Sequence, residues 1–498
     1  DGNLTLVGNS GGYSMQTALP TGASAGFHSN GGTVVFAADG TNPMINVDGF
    51  NGMGHFYNIQ TTLATTRYHT RIKATGNLTI DAGATFESSR AAYTSNNTYV
   101  DFAKDLYVAG TFGNTVGDKL DTGGVGDAFG SVLVVGGGTL NACSGNTTIN
   151  YDSYNLSLYS VAYRNAGTMV HNTGTLVVKA NGGSNTFGGG GGTGNPYNVH
   201  VENLGGGAAT PYIRAYNTPN IDNDFTVSGS LDWAHLWGDG HVVSGNVVIV
   251  SGATYTETPV SGTLTMGSLT IKATSTFTAG LSGTTIITSE DAGGSYALLN
   301  EGTFTHNDGE INFTYAGTTI VKGLTASNPL YDMTVSGAGL DLYLYGDTLV
   351  CNDLNLKYGD MVFDGNQGDI TVSGNVGIGE VGSSRFGLGG AFNNNQTLTF
   401  GVLNIYSNGT FNATSGTTTI DNNIGGQSIF NLDGGTFVHN SGTVNILQGT
   451  GDPELTGTAG ANPTFYNFGM GAGYLKRGMT VEGTASTGPV GYGGGANN

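Results

Sequence analysis

The chain has 498 residues, of which 88 are glycine and only 10% are charged, and its formal net charge at pH 7 is −20. Good helix formers are scarce and β-branched and turn residues abundant, which predicts an all-β protein, while 24 Tyr and 22 Phe argue against disorder. No basic cluster is available to bind phosphates, which excludes nucleic acid as a partner, and no 18-residue apolar run predicts a membrane span.

Residues 77–86 show the local pattern of the chain. Apolar and polar residues alternate there up to a turn at Gly83, which predicts a half-buried strand. Predicted strand centres later follow one another at intervals of 18 to 28 residues within two runs: Val199, Val227, Ile249 and Ile271, then Val335, Leu354 and Val372. Coils of twenty-odd residues, each with two or three short strands, are therefore expected.

Two stretches depart from this rhythm. Residues 91–130 carry more charge than their neighbours, which favours a loop or a short helix that leaves the stack. Residues 182–194 are rich in glycine but lack the Gly-Lys-Ser/Thr ending of a phosphate loop. They are expected to form a flexible tip between two strands.

A longer repeat is superimposed on the coils. The phrase Gly-Thr-x-x-His-Asn occurs three times, and a Tyr-Asn or Tyr-Asp pair follows about 25 residues after each of its histidines. A degenerate copy of this phrase lies near the start of the chain, at His28. The histidines are 143, 135 and 133 residues apart and the tyrosines 140, 134 and 135, so two markers keep one period, which indicates tandem repetition. These markers are His28, His171, His306 and His439, with Tyr57, Tyr197, Tyr331 and Tyr466.

A third marker keeps the same period. A Ser-Gly-Thr/Asn-Thr phrase begins at Ser144, Ser282 and Ser415, which lie 27, 24 and 24 residues before the histidines. The chain starts about where the first copy would fall, so we expect it to begin and to stop partway through a repeat. The expected organisation is a partial first repeat with its following coils at 1–149, a second repeat at 150–286, a third at 287–420 and a partial fourth at 421–498.

Two architectures fit this organisation. An elongated β-solenoid, or β-helix, of about three and a half repeats of ~135 residues accounts for both the short and the long period. A string of β-sandwich domains would account for the long period alone. No Pro- or Ser-rich linker separates the repeats, and the solenoid is therefore favoured.

The residues that invite a chemical role are interpreted as structural. The marker histidines lie about 135 residues apart and no second His or Cys recurs with them, so each is expected to cap a turn by bonding to backbone. The marker tyrosines are expected to pack their rings and to leave the hydroxyl in water. Cys143 and Cys351 occupy different places in their repeats, which favours two buried thiols over a bridge.

One cluster stands out as a binding candidate. Trp233, His235 and Trp237 would point to one face of a strand, and if exposed they would form a platform for a sugar ring. Packing in the core or in a loop is the favoured interpretation. No catalytic residue and no metal site is predicted, since no Gly-x-Ser-x-Gly elbow or His-Glu-x-x-His motif occurs. His235, Asp239 and His241 could approach a metal, but three ligands in a glycine-rich turn are weak support for a site. Asn/Asp-rich turns could hold Ca²⁺ through oxygen ligands, although no Asp-x-Asp-x-Asp-Gly loop supports such a site.

Several phrases carry a resemblance, notably Gly-Thr-Phe-Thr-His-Asn-Asp-Gly at 302–309, Phe-Tyr-Asn at 56–58 and 465–467, and the Thr-rich phrase at 408–420. They resemble the tandem repeats of large surface and virion proteins of tailed phages of aquatic bacteria and of bacterial adhesin-like proteins. The resemblance covers nearly the whole chain. It implies an extended, non-enzymatic β structure located in a virion, outside the cell or on the cell surface.

The leading functional hypothesis is a structural or adhesive fibre or spike segment of a virion. The alternatives are a bacterial or archaeal cell-surface adhesin or self-assembling extracellular filament and, from another class, a polysaccharide-degrading spike. The expected partners are copies of the chain or fibre neighbours, joined end to end through open β edges before any lateral trimer, and host surface glycans.

Overall fold

A computed structural model shows an all-β protein, with no helix among the residues that it describes. These are 2–6, 13–16, 31–37, 44–46, 56–62, 65–68, 72–88, 100–102, 105–113, 128–151, 161–180, 184–189, 191–203, 212–216, 220–235, 241–258, 262–346, 348–363, 368–388, 396–421, 428–447, 454–457, 463–470, 473–475, 479–481, 485–487 and 490–491.

The chain divides into two units, each a stack of parallel strands. The first comprises Asp1–Ser244 with Gly252–Pro259, and the second Gly245–Ser251 with Val260–Asn498. The strands of the first unit are β1 (Leu4–Leu6), β2 (Tyr13–Gln16), β3 (Thr33–Ala37), β4 (Met44–Asn46), β5 (Asn58–Thr62), β6 (Thr65–Tyr68), β7 (Ile72–Ala74), β8 (Leu78–Ile80), β9 (Thr85–Ser88), β10 (Val100–Phe102), β11 (Asp105–Val108), β12 (Thr111–Phe112), β13 (Ala128–Phe129), β14 (Ser131–Val134), β15 (Thr139–Asn141), β16 (Asn146–Tyr151), β17 (Val161–Asn165), β18 (Thr168–Val170), β19 (Thr175–Ala180), β20 (Ser184–Gly189), β21 (Asn198–Asn203), β22 (Tyr212–Tyr216), β23 (Phe225–Ser228), β24 (Ser230–His235), β26 (Thr254–Thr258) and, divided between the units, β25 (His241–Ile249).

Three parallel sheets form the first unit. One is ordered β1-β3-β5-β8-β11-β14-β17-β20-β22-β24-β26, a second β2-β4-β6-β9-β12-β15-β18, and a third β7-β10-β13-β16-β19-β21-β23. Consecutive strands such as β13, β14 and β15 belong to three different sheets, so one coil of the chain contributes a strand to each. This is a β-solenoid, because the chain returns to the same sheet once per coil.

The second unit is also built from stacked parallel strands. Its strands are β27 (Thr263–Ile271), β28 (Thr276–Thr278), β29 (Thr284–Ile287), β30 (Tyr296–Asn300), β31 (Thr303–Thr305), β32 (Glu310–Phe313), β33 (Thr318–Lys322), β34 (Asp332–Val335), β35 (Asp341–Leu344), β36 (Leu349–Cys351), β37 (Asp353–Leu356), β38 (Gly359–Val362), β39 (Ile370–Ile378), β40 (Ser384–Leu388), β41 (Leu398–Tyr406), β42 (Gly409–Asn412), β43 (Thr417–Asp421), β44 (Ser428–Asp433), β45 (Thr436–Val438), β46 (Thr443–Leu447), β47 (Glu454–Gly457), β48 (Thr464–Phe465), β49 (Asn467–Met470), β50 (Gly473–Leu475), β51 (Thr480–Val481), β52 (Ala485–Thr487) and β53 (Val490–Gly491).

Long strands connect the ladders of the second unit. One ladder runs through β29, β32, β34 and β37, and another through β30, β33, β35, β38, β40, β42 and β45. The nine-residue strands β27, β39 and β41 each pair with two strands of a neighbouring coil, so a single strand contributes to two ladders. Pairing between strands is parallel in both units, which rules out β-sandwich domains, whose strands are antiparallel.

Coil length varies within both units. Hydrogen bonds join side chains to neighbouring coils across 18 residues at Thr414 and across 30 at Asn172. The predicted rhythm of twenty-odd residues is confirmed, and the predicted strand centres all lie in strands. The turn at Gly83, where φ is 80°, also separates two strands as expected.

The core consists of inward-facing side chains that lie directly above their equivalents in the next coil. Phe386, Phe411 and Phe437 are register partners on β40, β42 and β45. Their ring centroids are 4.9 and 5.7 Å apart, with interplanar angles of 15° and 14°. Identical side chains stack in this way because parallel in-register coils bring equivalent positions together.

The structure describes only parts of the two irregular stretches, and the strands found there correct the expected tip at 184–189, while the loop or short helix expected within 91–130 stays a prediction. Residues 105–108 of the charged stretch form β11, which pairs with both β8 and β14 and therefore lies in the stack. Residues 184–189 of the glycine-rich stretch form β20, which pairs with β17 and β22. Ladder bonds use backbone groups, so charge and missing side chains do not prevent a strand between two well-formed neighbours. Other parts of both stretches lie outside the described residues.

Cys143 and Cys351 are not joined by a disulfide and both are buried, as predicted. Cys143 follows β15 and Cys351 ends β36. Burial, with smaller contributions from Asp332 and Asp353, raises the pKa of Cys351 well above its ordinary value. This thiol therefore packs as a small apolar side chain and is chemically inert.

Substituting Phe411→Ala is expected to lower the free energy of unfolding of the second unit by about 3–5 kcal/mol, because it opens a cavity between two stacked rings. Urea unfolding followed by circular dichroism measures the loss. Leu281→Ala is the control, since that side chain is 53% exposed. Equal effects of the two substitutions would contradict the stacked core.

Candidate functional site

The same four-residue turn recurs at His171, His306 and His439. Each runs from histidine through asparagine and one further residue to a glycine, whose N–H donates to the histidine carbonyl at 2.9 Å. φ is 43° to 46° at the asparagine and 57° to 60° at the next residue. Two successive left-handed residues define a type I′ turn, and asparagine tolerates this conformation better than most residues.

The imidazole caps this turn. Nδ1 of each histidine accepts a hydrogen bond from the backbone N–H two residues later, at 3.0 Å in His171 and His306 and 2.9 Å in His439. A strand, β19, β32 or β46, begins directly after each turn. The predicted capping role is confirmed for these three residues, while His28 lies outside the described residues.

The turn also fastens to the preceding coil. The amide Nδ2 of Asn172, Asn307 and Asn440 donates to an alanine carbonyl there, at 2.9, 2.9 and 2.8 Å. The glycine that ends each turn lies so close to that coil that a Cβ would stand 2.0 to 2.6 Å from a carbonyl oxygen, which no side chain permits. These glycines are Gly174, Gly309 and Gly442.

The following coil contributes the marker tyrosine. Tyr197, Tyr331 and Tyr466 stack on the three histidine rings, with centroids 5.0, 5.4 and 5.9 Å apart and interplanar angles of 24° to 29°. The Tyr466 side chain is 38% exposed, which agrees with the expected packed ring and solvated hydroxyl. We call this three-coil arrangement of turn, asparagine bond and ring stack the histidine corner.

The three sequence markers are three consecutive coils of one ladder. In the third repeat Thr284 pairs with Glu310 and Glu310 with Asp332, at the starts of β29, β32 and β34. The same order holds for β16, β19 and β21 and for β43, β46 and β49. The histidine corner is therefore a single structural unit, and it occurs three times within the described residues.

The corner at His306, in the third repeat, differs in charge from the corners at His171 and His439. Asn198 and Asn467 follow their tyrosines and donate to a threonine of the coil before, at 3.4 Å in both cases. In the third copy Asp332 lies instead between Glu310 and Asp353. Burial raises the pKa of Asp332, the hydrogen bond from Asn352 opposes the rise, and the two neighbouring carboxylates add to it.

The tryptophan candidate is only partly covered by the structure. Trp233 and His235 both lie on β24, two residues apart as predicted, and Trp233 pairs with Ile213 on one side and Glu257 on the other. Their side chains and all of Trp237 lie outside what the structure describes. The sugar-platform hypothesis therefore stays a prediction.

Within the described residues no group of three His, Cys, Asp or Glu side chains is arranged to hold a metal ion. The described part of the chain also contains no helix of the length and apolarity that a membrane crossing requires.

One polar cluster between coils was missed by the sequence reasoning. His200 contacts Ser228 of the next coil, 28 residues away, and Glu202 of its own strand. The alternation of Val199 and Val201 with His200 and Glu202 does place both polar residues on one face, but only the structure supplies the serine.

Comparison with family models, with curated proteins and with solved structures gave no match in any of the three searches.

Substituting His306→Ala is expected to destabilise the second unit by about 1–2 kcal/mol, since it removes both the cap and the ring stack. His306→Asn separates the two contributions, because an asparagine side chain also accepts a backbone N–H two residues later. About half of the loss should remain in His306→Asn. If urea unfolding shows that both variants are as stable as the parent, the histidine corner does not stabilise the fold.

Asp332→Asn introduces the residue found at the equivalent positions of the other two corners, Asn198 and Asn467. The folded-state pKa of Asp332 is raised, so its ionised form destabilises the fold above that pKa, and the penalty disappears as the pH falls. The variant should be more stable than the parent by about 0.5 kcal/mol at pH 7 and equal to it below about pH 4. Glu290→Gln removes one charge outside the ladder and is the control for net charge.

Proposed function

We propose that the chain is a non-enzymatic structural or adhesive segment of a virion fibre or spike. The observation that carries the proposal is the histidine corner, which repeats a set of contacts whose only evident effect is to join a coil to its two neighbours. Each corner combines a strained turn, a buried glycine contact and a ring stack, and all three hold the register between coils.

The acidic surface agrees with this role. A formal charge of −20 favours solubility and disfavours non-specific binding to nucleic acids and anionic membranes. Stability in a solenoid is approximately the sum of each coil and its interfaces with neighbours, so repeated interlocking units suit a protein that bears load or presents a surface. The proposed partners are neighbouring copies of the chain and host surface glycans.

Antibodies against the purified chain test this proposal by immunogold electron microscopy of virion and cell fractions from the source culture. Labelled virion appendages are the expected result. Labelling confined to cell surfaces or free filaments would replace the virion proposal with the adhesin or filament alternative. Specific depolymerisation of a polysaccharide by the purified chain would refute the non-enzymatic assignment.

A further inference from the structure

A serine, an imidazole and a carboxylate lie in series on the first unit. The Ser228 hydroxyl oxygen is 2.6 Å from Nε2 of His200, and Nδ1 of the same ring is 3.5 Å from a carboxylate oxygen of Glu202. The first distance lies within the range for a nucleophile and its base, and the third group lies on the far side of the ring.

The solenoid places these groups together through its register. Val199 and Val201 of β21 are buried, so His200 and Glu202 between and after them face outward. Glu202 pairs with Ser228 in β23, and His200 therefore reaches the serine along a diagonal between coils. The side chains of His200 and Glu202 are 28% and 30% exposed, which leaves the cluster accessible to a small molecule.

The surroundings of His200 favour a neutral ring with its lone pair on Nε2. A carboxylate beside Nδ1 favours the tautomer that carries the proton on Nδ1, and Nε2 then accepts the serine proton. Burial lowers the pKa of His200, Glu202 raises it, and Lys179 lowers it again. Lys179 pairs with the other carboxylate oxygen of Glu202 at 3.3 Å, which holds that side chain in place. The net lowering keeps the ring neutral, and hence a base, near neutral pH.

Two other serines provide an internal comparison, Ser336 at a half-buried position like that of Ser228 and Ser268 at a fully buried one. Ser268 donates to Asn246 at 2.6 Å and Ser336 to Asn312 at 2.7 Å, each across one coil boundary. Ser336 differs from Ser228 in its acceptor, whereas Ser268 differs both in its acceptor and in its burial. An amide oxygen cannot take up the serine proton, whereas an imidazole can, so the geometry that is structural at those two positions becomes chemically active at Ser228.

We propose that Ser228 is a covalent modification site, a nucleophilic serine that accepts an acyl group from an ester. Oγ attacks the ester carbonyl carbon while its proton passes to Nε2 of His200. The new Oγ–C bond forms, the C–O bond to the leaving alcohol breaks, and the alkoxide leaves with the proton from His200. The products are one acyl-serine and one alcohol.

The expected acyl donors are esters with good leaving groups. Ser228 ends a strand whose amides belong to a parallel ladder, so base activation rather than an oxyanion hole drives the reaction. The inference goes beyond the proposed function, and either can fail without the other, because a structural segment can carry one reactive serine.

The test exposes the full chain to a fluorophosphonate and to p-nitrophenyl acetate and locates adducts by intact mass and peptide mapping. The phosphonate reaction forms an Oγ–P bond and releases fluoride, which leaves a stable label. We expect one label per chain, on Ser228, and none on Ser268 or Ser336. Ser228→Ala should abolish it.

His200→Asn is the decisive variant, because it recreates the amide–serine pair found at Ser268 and Ser336 and so preserves the fold and the hydrogen bond. Labelling of this variant should be slower by about 100-fold or more, the usual contribution of a general base. Circular dichroism confirms equal folding. No label on the parent, or equal labelling rates in the parent and His200→Asn, would overturn the proposal.

Discussion

The register between successive parallel coils is the constraint on which the rest of both units depends. Backbone N–H and C=O groups of each coil find their partners in the coils before and after it, so a shift of one residue would leave inward groups facing water. The histidine corner fixes that register from both sides, since Asn307 bonds to the coil before and His306 stacks on Tyr331 of the coil after. Core stacks such as Phe386 on Phe411 form because the parallel register brings equivalent residues together.

The fold was largely predictable because the sequence shows two periods, the alternation of apolar and polar residues along a strand and the spacing of strands from coil to coil. Alternation around residues 77–86 and the spacing of Val199 and Val227 reveal strands and coils without any structural information. The strand at 184–189 was not predictable in the same way, because its backbone bonds depend on β17 and β22 and not on its own glycines. Variation in coil length likewise hid the fact that the three markers are three consecutive coils.

The contacts at the candidate sites were predictable where they are local in sequence and not where they join different coils. Capping by His171, His306 and His439 was predictable, since it involves residues two positions apart in the chain. The tyrosine stack and the contact between His200 and Ser228 join residues about 25 to 28 positions apart, and only the register determines which pairs meet. The spacing along the sequence identified which residues recur, whereas only the structure, through the register of its stacked coils, identified the residues they contact.

The confinement of the histidine corner to three coils has an evolutionary consequence. Asn172 reaches one coil back and His171 one coil forward, so a segment cut at equivalent residues of two copies carries its own complete set of contacts. Unequal recombination between the similar stretches around Ser282 and Ser415 would then add or delete a block in frame without exposing a mismatched interface. Such a gene can change the number of its modules by copying errors alone, and the same property makes the corner boundaries natural splice points for engineered chains of chosen length.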